Sequence, residues 1–143
     1  MPGTWGRGVY NPITVLGITG TAALKAGQYL DAYRFVDTYQ GWLNYPYFHQ
    51  VRPVTVFRDG DRDNTLEWDN PVQSGLFGIN IHRMSNNGID SQVLNYVWAT
   101  WSMGCQGAPE PTFAQLLPLA RACARFHGDL FDYTLLYEAD LKG

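Results

Sequence analysis

A cysteine performs acyl transfer when a base takes its proton, backbone donors hold the oxyanion, and a turn presents the sulfur. The 143-residue chain carries two cysteines, Cys105 and Cys123, and three histidines. Cys105 lies in Ser102-Met103-Gly104-Cys105-Gln106-Gly107. A glycine before the sulfur lets the backbone turn tightly and brings amides close to a substrate carbonyl. The base on offer is His82, at the end of Leu76-Phe77-Gly78-Ile79-Asn80-Ile81-His82. Period-two alternation puts Phe77, Ile79 and Ile81 on one face of a strand and Gly78, Asn80 and His82 on the other. With the apolar face on the core, His82 is expected to project into a polar cleft at the strand end, with Gly78 leaving room beside it. The residues alone leave two readings open: a thiolate nucleophile, or a small buried hydrophobe, which free cysteines often are.

The order of the two segments adds to this. Gly78-Ile79-Asn80-Ile81-His82 followed by Ser102-Met103-Gly104-Cys105 resembles the signature of the L,D-transpeptidase catalytic domain, where a strand ending in histidine precedes a Ser/Thr-x-Gly-Cys loop. Gly27-Gln28-Tyr29, Val54-Thr55-Val56-Phe57-Arg58-Asp59, Phe77 to Arg83 and Trp101 to Gln106 are similar to a phage-associated branch of such proteins. The resemblance implies a mainly β (α+β) sandwich or barrel with one substantial helix near the C-terminus. It implies Cys105 as nucleophile, His82 as general base, the amides of Gly104 and Cys105 as oxyanion hole, and Ser102 as support for loop and substrate. Arg83, Asn80, Met103 and Gln106 are the expected substrate-binding residues. The implied substrate is a peptidoglycan stem peptide, cleaved at an amide to give a thioester that an amine or water then resolves. No cofactor is required by that chemistry, and the implied location is the cell envelope, the periplasm or a virion.

This chain departs from the family pattern in three places. Arg83 stands where Gly or Ser commonly follows the histidine, and Gly107 where Arg or Asn is common two residues after the nucleophile. The segment between His82 and Cys105 is also longer than usual, an enlarged lid. The departures leave nucleophile and base in place but not the substrate-reading residues, so transpeptidase and hydrolase both stand. A non-catalytic virion or secretion-apparatus module, structural or wall-binding, is the reading from a different class.

Other residues suggest less. The loop Asp59-Gly60-Asp61-Arg62-Asp63-Asn64-Thr65-Leu66-Glu67-Trp68-Asp69 has the alternating carboxylates of a calcium loop. Asn64 and Asn70 fall where an EF-hand carries Gly and Glu. Calcium there would be structural; the alternative is a solvated acidic hairpin. Cys123 and His127 stand four apart on a helix, but no further metal ligand is apparent and Cys123 is expected on the apolar face. His49, in Tyr47-Phe48-His49-Gln50, reads as structural.

The elements that must position Cys105 and His82 follow from pattern. A short strand is expected at 13–16, an alternating aromatic segment at 28–37, a packed loop at 39–48 and a β-branched strand at 54–57. An apolar stretch at 93–101 leads into the cysteine loop. Residues 112–127 carry Phe113, Leu116, Leu117, Ala120 and Cys123 at helical spacing. Thr112 with Gln115 suits a capping box, Gly128 a stop, and Pro118 a kink or a late start. Alternation over 131–137 closes the fold as a strand.

Composition bounds the rest. The length is that of one domain over 1–143, with residues 1–22 as an irregular N-terminal arm. Hydrophobic residues make up 45% and charged residues 16%, with 15 glycines, which is a globular chain rich in turns. Five Trp and nine Tyr could stack on sugars, though aromatic residues first build cores. A net charge of −3 without a Lys/Arg cluster gives no reason to expect a nucleic-acid partner. No apolar run has the length of a membrane span, and the first residues lack the order of a signal peptide.

Overall fold

The computed structural model describes residues 22–38, 45–58, 72–83 and 104–142. Along the chain these form β1 (Ala22–Leu24), β2 (Gly27–Val36), β3 (Tyr47–Gln50), β4 (Val54–Arg58), β5 (Gln73–Gly75), β6 (Ile81–Arg83), β7 (Gln106–Ala108), α1 (Glu110–His127) and β8 (Leu130–Leu135), then a 3-10 turn at Glu138–Leu141. The fold is mainly β, of the α+β class, with one helix near the C-terminus. A three-stranded sheet runs β1-β4-β5 and a five-stranded sheet runs β7-β6-β3-β2-β8. Every pairing is antiparallel except β6 with β7. Parallel neighbours need a long crossover, and β6 and β7 are separated in the chain by residues 84–105.

Both sheets and α1 share one core. Tyr33, Phe35, Phe48, Val54, Val56, Ile79, Phe113 and Ala120 are buried in it. Phe48 makes edge-on or tilted ring contacts with Phe35, Phe131 and Phe113, which ties the centre of the large sheet to its edge and to the helix. In β8 the alternation turns Phe131, Tyr133 and Leu135 inward. β2 is broken by a register shift between Tyr29 and Tyr33. There Asp31 takes a left-handed φ of 48° and its amide donates to Asp132 Oδ1 at 2.7 Å.

Helix α1 buries Phe113, Leu117, Ala120 and Ala124, wholly or in part, a single stripe at i, i+4, i+7 and i+11. Pro111 falls in its first turn, where a missing N–H costs nothing. Glu110 and Arg125 with His127 sit at the ends that suit the helix dipole. The helix stops at Gly128, whose amide donates to Ala124 O at 3.2 Å and whose φ is 92°.

Several expectations need correction. The segment expected as one strand over 76–82 is a strand only at Ile81–Arg83. Upstream of it, the amides of Phe77 and Ile79 bond the Gln50 side chain instead of a neighbouring strand. The packed loop expected up to Phe48 gives way to strand β3 from Tyr47. No Thr112 capping box forms, because the helix starts earlier, after Pro109, and runs through Pro118 without a break. Cys123 is exposed, not core, since the buried stripe passes through Ala120 and Ala124. Residue 22, placed in the N-terminal arm, opens β1. The expected strand at 13–16 and the stretch at 93–101 lie outside the described residues, as does the acidic loop from Asp59 to Asp69.

Candidate active site

The site is assembled on the parallel β6–β7 pair. Its register sets Ile81 against Gln106, His82 against Gly107 and Arg83 against Ala108. The ladder continues one step back, where the Gln106 amide donates to Asn80 O at 2.8 Å. Cys105 lies just before β7, two residues upstream of His82's partner Gly107.

Gly104 fixes where the sulfur emerges. Its φ is 141°, and an added Cβ would stand 2.9 Å from Ala22 O and 3.1 Å from Ala22 Cβ. Only glycine satisfies both that conformation and that approach. Cys105 is half-buried, and its thiol donates to Gly78 O at 3.5 Å. Gly78 has a φ of 70°, a backbone conformation that suits glycine. A Cβ added at Gly78 would meet no described atom within 4 Å, so the position suits glycine through its φ and not through room beside His82.

His82 is half-buried and its tautomer is set by its neighbours. Nδ1 lies 2.7 Å from Arg83 O and 3.2 Å from Tyr45 Oη. A carbonyl only accepts, so Nδ1 carries the proton and Nε2 is the basic nitrogen. Burial lowers the His82 pKa below its ordinary value, partly opposed by the backbone bond to Arg83. The imidazole is therefore neutral at pH 7, the state a general base requires. The Tyr45 hydroxyl touches His82, and burial raises its pKa, with Arg83 lowering it and Cys105 raising it.

Gln50 holds the arm that carries Gly78 and Asn80. The residue is 4% exposed. Its Oε1 accepts from the amides of Phe77 at 3.1 Å and Ile79 at 2.9 Å. Its Nε2 donates to Gly75 O and to Arg52 O, both at 2.9 Å. Asn80 answers from the other side, Oδ1 accepting from the Gln50 amide at 3.0 Å and lying 3.1 Å from His49 Nδ1. Asn80, expected to read substrate, thus ties the arm to β3, with His49 as a structural partner. Gln106, from the same expected set, is buried beneath the loop. Its Nε2 donates to Gly104 O at 3.3 Å, and its Oε1 accepts from Tyr133 Oη at 3.4 Å. Tyr33 Oη is buried without a hydrogen-bond partner among the described residues. Burial raises its pKa most, with smaller contributions from Tyr133, Tyr29 and Cys105.

Arg83 is partly buried at the end of β6. Its guanidinium lies 4.3 Å from the centre of the Tyr45 ring, and Nη1 bonds Glu110 Oε1 at 3.2 Å. Ser102 and Met103 lie outside the described residues. Sequence reading missed Gln50, Tyr45 and Glu110. Gln50 could have been flagged as a polar residue closing the aromatic run Tyr45-Pro46-Tyr47-Phe48, whereas nothing in the sequence pairs Glu110 with Arg83. Among the described residues, no group of three or more His, Cys, Asp or Glu could hold a metal ion, and no helix is long and apolar enough to cross a membrane.

The chain is a mainly β domain in which Cys105 directly precedes β7 and His82 lies on its parallel neighbour β6. No family model, curated protein or solved structure matches it.

Proposed function

We propose that this protein is a cysteine-dependent acyl transferase or hydrolase acting on peptidoglycan stem peptides through a thioester at Cys105. The observation that supports the reading is the β6–β7 register, which pairs His82 with Gly107, two residues after Cys105, despite the separation in sequence. The tautomer adds to it, because Nδ1 is committed to Arg83 O and the basic nitrogen is Nε2.

In the proposed reaction the Cys105 thiol leaves Gly78 O and gives its proton to His82 Nε2. The thiolate adds to the scissile carbonyl, and the amides of Gly104 and Cys105 receive the developing oxyanion. Collapse breaks the C–N bond, and the imidazolium returns the proton to the departing amine. The thioester is then attacked by an amine or by water, with His82 again as base, which regenerates the thiol. The choice between those two acceptors decides transpeptidase or hydrolase. The cell envelope, or a virion that meets it, is the location that fits this substrate.

The test is the muropeptide profile of isolated peptidoglycan after incubation with the purified protein. New cross-linked or shortened species, absent with Cys105→Ala protein of unchanged circular dichroism, are expected. An unchanged profile with the native protein would contradict the reading.

A further inference from the structure

A cavity of about 220 Å³ opens beside the candidate base, between the β6 end and the start of α1. Tyr45, Arg83, Glu110, Phe113, Ala114 and Leu117 line it. We infer that it is a subsite for a zwitterionic α-amino-acid head group, a carbon bearing both ammonium and carboxylate; this rests on the acyl-transfer reading, to which it adds the part that holds a free amino acid, the residue released or the acceptor.

Three features select that guest. The walls carry one fixed charge of each sign, Arg83 and Glu110, joined by a single contact of 3.2 Å with side-chain exposures of 22% and 43%. A partly exposed, one-point ion pair of this kind contributes little by itself and opens readily. A ligand bearing only a carboxylate would face Glu110, and one bearing only an ammonium would face Arg83. A zwitterion inserted into the pair gives each charge an opposite partner. Phe113, Ala114 and Leu117 supply an apolar floor for the guest's side chain. The volume lies below the roughly 300–1,000 Å³ of sites for drug-sized ligands, which fits one amino-acid residue and not a whole stem peptide.

The cavity is also wired to the base. Tyr45 presents its ring to Arg83 and its hydroxyl to His82 Nδ1, and Arg83 offers its carbonyl to the same nitrogen. A guest that draws the Arg83 guanidinium away from Glu110 therefore acts on the residue that orients the imidazole.

The test uses the full chain with Cys105→Ala, so that binding is read without chemistry. NMR titrations compare free leucine, N-acetylleucine and leucinamide, following the amides of Arg83, Glu110 and Phe113. Leucine is expected to give saturable shifts at millimolar concentration, and each blocked analogue to bind at least about tenfold more weakly because one wall charge then faces no partner. In Glu110→Gln, leucine and N-acetylleucine are expected to bind alike; in Arg83→Met, leucine and leucinamide. Arg83→Lys should restore part of the preference as a point charge. Equal binding of all three ligands to the parent protein, or no saturable shift at these residues, would overturn the proposal. Leucine binding in a protein whose Cys105 form never turns over would overturn the acyl-transfer reading and leave the subsite standing, and turnover without leucine binding would do the reverse.

Discussion

Gly107 stands directly across from His82 in the parallel β6–β7 ladder, two residues after Cys105. A parallel pair can juxtapose residues at its strand ends only after a long crossover. The length of the segment between His82 and Cys105 is thus what a parallel β6–β7 pair requires. The opposite position being glycine also leaves the imidazole uncrowded from across the ladder.

Gly104→Ala is expected to cost about 1–3 kcal/mol, the range for a side chain forced into a sparsely populated backbone region. The cost arises because φ is 141° and the new Cβ would meet Ala22 O at 2.9 Å. Urea unfolding measures it. The loop should also shift, so thiol reactivity at Cys105 should change even where the fold survives. A variant as stable as the parent would show that this approach is not a constraint.

Gln50→Leu removes a side chain that satisfies two amides and two carbonyls. The loss is expected to be about 3 kcal/mol, since buried partners left unsatisfied cost on the order of 1–3 kcal/mol each and some will regain water. A decrease under ~1 kcal/mol in chemical denaturation would mean that water readily replaces the amide.

Acid should weaken the fold through His82. Its folded pKa lies below the ordinary 6.5 because burial disfavours the charged ring. Between those two values the unfolded chain binds more protons than the native one. The stability contribution is therefore present above about pH 6.5 and is lost as pH falls toward the folded value. Comparing denaturation midpoints at about pH 7.5 and 5.5, the parent should lose more stability than His82→Gln. Parallel losses would remove His82 from the account. Turnover should fall over the same window as the base becomes protonated.

Parts of this were readable in the chain and parts were not. Alternation through Ile79, Asn80 and Ile81 located His82 opposite the core, and the glycine before Cys105 marked a tight turn. The extent of that strand was not readable, because Gln50, distant in sequence, captures the amides of Phe77 and Ile79. Strand β7 was missed since Gln106-Gly107-Ala108 is too short and too small to show alternation. On α1, Phe113, Ala120 and Leu117 fit the same spacing as Leu116 and Cys123, and only packing tells the two stripes apart.

That packing alters the expectation for the two thiols. Cys123 is exposed and serves as an internal reference, whereas Cys105 is half-buried and bonded to Gly78 O. With limiting iodoacetamide at neutral pH, His82→Ala should slow alkylation of Cys105 by about 10²-fold or more, the usual size of a general-base contribution. Cys123 labelling should stay unchanged. Equal Cys105 rates with and without the imidazole would mean that His82 does not serve this sulfur.

The most direct test of acyl transfer through Cys105 is the intact mass of the protein after incubation with a stem tetrapeptide donor. The expected result is a mass increase equal to the acyl fragment, localised to Cys105, removed by hydroxylamine as a thioester must be, and absent from Cys105→Ala. An unmodified protein at every time point, or an adduct that persists in Cys105→Ala, would contradict the account.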